Sequence, residues 1–147
     1  MELIDAVTDF SIEKDIVRPE YDVEFRISED REVFAWGRSL IPHSALCCVA
    51  YTHEIPINME QLTEYSINHS PYRGDIAVAY TVWNCSDTKG SGRSLILALQ
   101  KHFSSHAKVH RLVTLSPLTE MAKRFHLSNG AKLLSTNPES YNFEYEI

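Results

Sequence analysis

Hydrophobic and polar positions change period several times along the chain, and each change marks an element. From Ile76 to Trp83 a β-forming apolar run gives way to a polar loop, then to Gly90-Ser91-Gly92. Beyond the glycines, Leu95, Leu99 and Phe103 recur along one side of a helix, so this stretch reads as strand, glycine turn, helix. Upstream, Val23, Phe25 and Ile27 alternate with charged residues, as do parts of Glu32 to Trp36, which predicts an antiparallel hairpin around Ser28-Glu29-Asp30. Ala45 to Thr52 reads as a buried strand. Asn58 and Gln61 stand in capping-box spacing and predict a helix from Met59 to Asn68, ended by Ser70-Pro71 and Gly74. Downstream, Val109 to Leu115 is a second buried strand. Ser116 as N-cap and Pro117 as first helical residue predict a helix to Ser128, stopped by Asn129-Gly130. Lys132 to Thr136 and Tyr141 to Ile147 close the chain as strands, the latter with Tyr141, Phe143, Tyr145 and Ile147 on one face. Residues 1 to 20 are polar, with a short helix expected over Ser11 to Val17. The order is strands first, then βαβα, then two strands, an α+β arrangement.

Composition narrows the function classes. With 147 residues, 44% of them apolar, the chain is expected to form one domain over 1–147. A net charge of −6 gives no basic footprint, so neither nucleic acid nor an anionic membrane is expected as a partner. No apolar run is long enough to cross a bilayer, and MELIDAVTDF lacks the basic flank and apolar centre of a signal peptide, so a soluble, cytoplasmic protein is expected. The three cysteines, Cys47, Cys48 and Cys85, cannot all pair within one chain and form no CxxC. Reduced thiols are expected, with Cys47 and Cys48 on opposite faces of a strand. His102, His106 and His110 are four residues apart, but the pattern places a helix end near His106 and a strand start near Val109, so no metal site is expected.

The glycine turn is the stretch that looks built for a ligand. Glycines there let backbone N–H groups face an anion, and the helix start adds unpaired donors and its positive dipole end. Lys89 and Arg93 flank the turn, so Lys89, Gly90, Ser91, Gly92 and Arg93 form a candidate phosphate or pyrophosphate site. The Gxxxx spacing and the Gly-Lys-Ser/Thr sequence of a Walker loop are missing, which favours a phosphorylated cofactor over a nucleoside triphosphate.

The element order, with a glycine turn after the longest strand, resembles the GNAT acyltransferase fold. Within it, the segments REVFAW, LCCVAYTHEIP, AVAYTVWN, VTLSP and above all RFHLSNGAKL resemble, in the same order, those of the catalytic domain of malonyl-CoA decarboxylase. The resemblance implies a GNAT-like central mixed sheet with a splayed parallel strand pair, Ala77–Trp83 beside Val109–Leu115, and helices on both faces. It implies coenzyme A or acyl-CoA as the bound group, malonyl-CoA or acetyl-CoA as partner, and no metal. The family's catalytic pair falls on Thr81 and His126. An enolate formed by decarboxylation needs a donor at the thioester oxygen, which Thr81 Oγ or a neighbouring backbone N–H, such as that of Val82, would supply. His126 lies near a helix end, where the dipole favours its protonated form while burial opposes it. Residues 1–147 hold no segment resembling the family's helical N-terminal domain, Thr81 replaces a serine, and TKGSGRSLI carries the tighter GxG of GNAT acetyltransferases rather than GLxGxxLG. The GNAT resemblance therefore also implies an alternative, an N-acetyltransferase moving an acetyl group from acetyl-CoA to an amine. Glu54, Glu64 or His53 would then activate the amine, and His126 stands where those enzymes usually have tyrosine. A non-catalytic acyl-CoA-binding domain is the third reading.

Overall fold

The computed structural model describes residues 1–38, 42–68, 72–87 and 89–147. Strands β1 (Glu2–Ile4), β2 (Arg31–Gly37), β3 (Ala45–Thr52), β4 (Ile76–Asn84), β5 (Arg111–Thr114), β6 (Lys132–Thr136) and β7 (Tyr141–Tyr145) form one sheet. Their order across it is β1-β2-β3-β4-β5-β7-β6, and every neighbouring pair is antiparallel except β4 and β5. Helices α1 (Val23–Ile27), α2 (Met59–Tyr65), α3 (Ser91–Ser104) and α4 (Glu120–Ser128) lie between the strands in sequence.

Alternation along the strands divides the apolar side chains between two cores. Cys47, Val49, Ala77 and Ala79 join Leu95, Leu99 and Phe103 of α3, while Cys48, Ala50, Val78 and Tyr80 join Met59 and Leu62 of α2. Cys47 and Cys48 thus face opposite ways, as the strand period requires. Every residue of β3 is buried, which is why it reads as a continuous apolar run rather than an alternating one. All three cysteines are free.

The expected parallel pair is present. Ile76 pairs with Arg111, and the ladder ends at Ala79 and Thr114, with the Leu115 N–H donating to the Ala79 carbonyl at 2.9 Å. Beyond that point each strand follows its outer neighbour. β4 stays with β3 as far as Asn84 opposite Ala45, and Ser116 bridges to Tyr141 of β7. At the same place β4 carries a bulge. Cys48 lies opposite Thr81 but Val49 lies opposite Ala79, so Tyr80 is the extra residue. A bulge re-aims the side chains beyond it, and here Thr81 as well as Tyr80 turns to the α2 side, while Val82 packs into the α3 core.

Several boundaries differ from the sequence reading. Val23–Ile27 is helix α1 and not the first arm of a hairpin, because Asp22 caps it, accepting the Phe25 N–H at 2.8 Å. The alternation is real, since Phe25 and Ile27 pack against the α2-side core, but the charged residue between them, Arg26, is also fully buried. The strand partner of β2 on that side is β1. Ser11–Val17 forms no helix. Helix α2 ends at Tyr65, earlier than Asn68, with Ser66 as C-cap. The expected stop at Ser70-Pro71 lies outside the described residues. Helix α4 starts at Glu120 with Thr119 as N-cap, because Ser116 is engaged elsewhere, its backbone bridging to Tyr141 and its hydroxyl donating to Thr114.

The buried Arg26 explains how the N-terminal segment is held. Its Nη1 lies 2.6 Å from Asp15 Oδ2, with both side chains fully buried. Asp15 Oδ1 also accepts the N–H groups of Val17 and Arg18 and the hydroxyl of Thr81. Removing one partner of such a pair leaves the other charge buried and unpaired. Asp15→Ala is therefore expected to lower unfolding free energy by about 3–5 kcal/mol, whereas Asp15→Leu with Arg26→Met together costs much less. Urea titrations of the three proteins check this, and equal losses for the single and double variants would contradict it.

Candidate active site

The parted strands open a cleft of about 600 Å³. One wall is β4 from Ala79 to Asn84, and another is the start of α3 with Gly90, Gly92 and Arg93. Helix α4 supplies a third, where Ala122, Phe125, His126 and Asn129 follow helical spacing, and Lys14, Ile16 and Val17 of the N-terminal segment close the fourth. A larger hollow of about 860 Å³ lies between residues 4–14 and Pro42, Trp83 and Cys85, but none of the residues expected to carry chemistry lines it.

His126 and Thr81 both line the cleft, each almost fully buried. Rings surround His126, with Phe125, Phe143 and Tyr145 centred 5.0, 5.2 and 5.7 Å from it. Its Nδ1 lies 2.7 Å from the Tyr145 hydroxyl. Burial lowers the His126 pKa to about 4, so desolvation outweighs the helix-end dipole and the ring is neutral at neutral pH. Burial raises the Tyr145 pKa, and the neighbouring Cys47 thiol adds to the rise. The phenol therefore keeps its proton, and its hydroxyl occupies Nδ1 of the imidazole.

Thr81 is already committed. Its hydroxyl donates to Asp15 Oδ1 at 2.9 Å, on the sheet face that the bulge turned it toward. Val82 lines the cleft, as do Gly90, Gly92 and Arg93 of the candidate anion site, while Ser91 is buried in the first turn of α3 and Lys89 is exposed outside the lining. Gly90 has φ +84, a conformation that favours glycine, and open space where a Cβ would stand. A Cβ on Gly92 would lie 3.2 Å from Asn84 Oδ1 and 3.6 Å from Phe125. Arg93 Nη1 donates to Asn129 Oδ1 at 3.0 Å, so this cation is tethered to α4. His53, Glu54 and Glu64 are exposed and stand outside the cleft. His102 and His106 have ring centroids 5.8 Å apart at the far end of α3, and no cluster of metal-binding side chains occurs among the described residues.

Sequence reasoning missed four residues. Tyr145 read only as one of four residues on a strand face. Arg18 spans the parted strands, Nε donating to the Tyr80 carbonyl at 3.3 Å and Nη2 to the Leu115 carbonyl at 3.2 Å. Asp15 holds Thr81, and Asn129, 7% exposed, has a buried Nδ2 with no hydrogen-bond partner. Asn129 stood within the FHLSNGA segment, but its helix-stop role masked any other.

Neither a family model nor a curated protein sequence matches the chain. Solved structures do. The malonyl-CoA decarboxylase of Rhodopseudomonas palustris superposes with a TM-score of 0.65 at 16% identity, over 91% of this chain and 55% of its own. A GNAT-family structure from Desulfovibrio desulfuricans gives 0.54 at 10% identity, over 80% of this chain and 69% of its own. The chain has the GNAT fold. AtaTR, solved bound with AcCoA, superposes at 0.60 with 15% identity, over 97% of this chain and 91% of its own. The chain spans about a third to just over half the length of the malonyl-CoA decarboxylases that it matches. No helix among the described residues is long and apolar enough to cross a membrane.

Two measurements test this geometry. A histidine whose folded pKa lies below its unfolded value stabilises fully above the unfolded value and loses that contribution as pH falls toward the folded one. His126 thus costs up to about 3 kcal/mol of stability between about pH 6.5 and pH 4. His126→Phe is expected to remove that part of the acid loss in urea titrations, and an unchanged pH slope would contradict the buried neutral ring. Gly92→Val crowds Asn84 and Phe125 at the cleft wall, so any CoA seated there should bind at least about tenfold more weakly. Unchanged affinity in a folded variant, measured by calorimetry, would contradict a ligand seated there.

Proposed function

We propose that this GNAT-fold chain binds an acyl-CoA in the cleft and decarboxylates malonyl-CoA, or a close analogue, to acetyl-CoA. The observation that carries the reading is His126, a neutral imidazole enclosed by aromatic rings at the point where β4 and β5 part, with Nδ1 held by Tyr145 and Nε2 left for substrate. In this reading the pyrophosphate sits at Gly90 and Gly92 with Lys89 and Arg93 nearby, and the pantetheine arm follows β4. The bond between the malonyl methylene carbon and its carboxylate breaks, carbon dioxide leaves, and the electron pair passes to the thioester oxygen as an enolate. Donors aimed at that oxygen lower the barrier. The Val82 N–H is the more available donor, because the Thr81 hydroxyl must first turn from Asp15. A substrate carboxylate beside His126 raises the ring's pKa, letting it take up a proton and deliver it to the enolate carbon.

Acetyl transfer to an amine is the second reading, favoured by the near-complete overlap with AtaTR and by the GxG turn. The positions of His53, Glu54 and Glu64 weigh against it, since none can meet an amine in this cleft. A non-catalytic acyl-CoA-binding domain would bind without turnover. Mass spectrometry after incubation with malonyl-CoA, and with acetyl-CoA plus an amine, separates the three. The wild type should form acetyl-CoA. His126→Ala should slow this about a hundredfold and Thr81→Val about tenfold, both with CoA affinity retained. Because free His126 is neutral across the range and gains its proton only with substrate bound, kcat/KM should fall as pH rises from about 6 to about 8. Acetylated amine with malonyl-CoA left intact, or full activity in His126→Ala, would overturn the decarboxylase reading.

A further inference from the structure

The start of α3 has an unusual cap. Gly90 occupies the N-cap position in the left-handed region, at φ +84, and offers no side-chain oxygen to the first N–H groups of the helix. The oxygen comes instead from the sheet. Asn84, the last residue of β4, turns its Oδ1 to the Gly92 N–H at 2.9 Å. Asn84 is exposed, and it lines the same cleft as Gly90, Gly92 and Arg93. A side-chain oxygen at the N-terminus of a helix occupies the position an anion's oxygen would take, since both answer the same unpaired donors and the same dipole. The wall nearby is also polar and incomplete. Asn129, bonded to Arg93 through Oδ1, keeps a buried Nδ2 without a partner.

We propose that Asn84 is an internal competitor for the phosphate site, its amide oxygen holding the Gly92 N–H until the pyrophosphate of CoA displaces it. The proposal rests on the reading of the cleft as a CoA site and adds a residue that sets affinity without contacting the reacting atoms. It also gives Gly90 a second consequence. Glycine is suited to this φ, and it leaves the capping to a side chain on a neighbouring strand that can swing away. Each binding event then exchanges one hydrogen bond at Gly92 for another, so the net affinity is the difference between phosphate and amide as partners of that N–H.

Three proteins test it, each as the full chain: wild type, Asn84→Ala and Asn84→Asp. Calorimetry with CoA and with inorganic pyrophosphate measures affinity, and thermal unfolding of the ligand-free protein measures the cap. Asn84→Ala should melt a few degrees lower, having lost a cap, yet bind both ligands about threefold to tenfold more tightly. Asn84→Asp should melt higher, because a carboxylate suits the dipole better, and bind at least about tenfold more weakly. The Gly92 amide in a ¹⁵N spectrum should move in Asn84→Ala toward its position in the CoA complex. Unchanged or weaker affinity in Asn84→Ala, in the presence of a wild type that binds, overturns the competition and leaves the cleft reading intact. A wild type that binds neither CoA nor pyrophosphate overturns both.

Discussion

Two parallel strands that part in mid-sheet leave carbonyl and N–H groups without a ladder, and buried backbone groups must find partners elsewhere. This chain meets that constraint from three directions. β4 keeps β3 as its partner to its last residue. The extension of β5 turns to β7, with Asn142, fully buried, donating to the Thr114 carbonyl at 2.8 Å to hold that side together. Between the two, Arg18 gives its guanidinium donors to Tyr80 and Leu115. The cleft exists because both strands are better bonded outward than to each other. Its floor is backbone of fixed position, which suits a site that presents N–H groups to a ligand.

The same arrangement separates the charges that flank the cleft. On the α2 side Asp15, Arg26 and Thr81 form a closed set in which the carboxylate has four donors and the guanidinium also bonds the Arg18 and Tyr21 carbonyls. The α3 side is apolar around His126, apart from Tyr145. A neutral imidazole in such surroundings responds strongly to an arriving negative charge, because little water is present to screen it. The bulge at Tyr80 links the two sides, since without the extra residue Thr81 would point into the α3 core.

The central strand, both helices along the cleft, the glycine turn and the αL stop at Gly130 were legible in the sequence, because each rests on local patterning that the fold leaves intact. Thr81 and His126 were singled out through resemblance, and both line one cleft. What escaped was long-range polar pairing. Arg26 looked like a solvent-facing residue of a hairpin because its partner, Asp15, lies in a segment with no pattern of its own. Ser116 looked like an N-cap because nothing local announces its bridge to Tyr141. The bulge at Tyr80 leaves no trace in the apolar run, so the turning of Thr81 toward Asp15 could not be read from it.

Hydrogen–deuterium exchange with and without malonyl-CoA examines the cleft most directly, since it reports which backbone N–H groups a ligand covers. Ligand in the cleft should slow exchange at Val82–Asn84, around Gly92 and Arg93, and near the C-terminal end of α4, leaving β1, β2 and α2 unchanged. Protection confined to residues 4–13 and the neighbourhood of Cys85, where the larger hollow lies, would contradict the assignment of the parted strands as the acyl-CoA site.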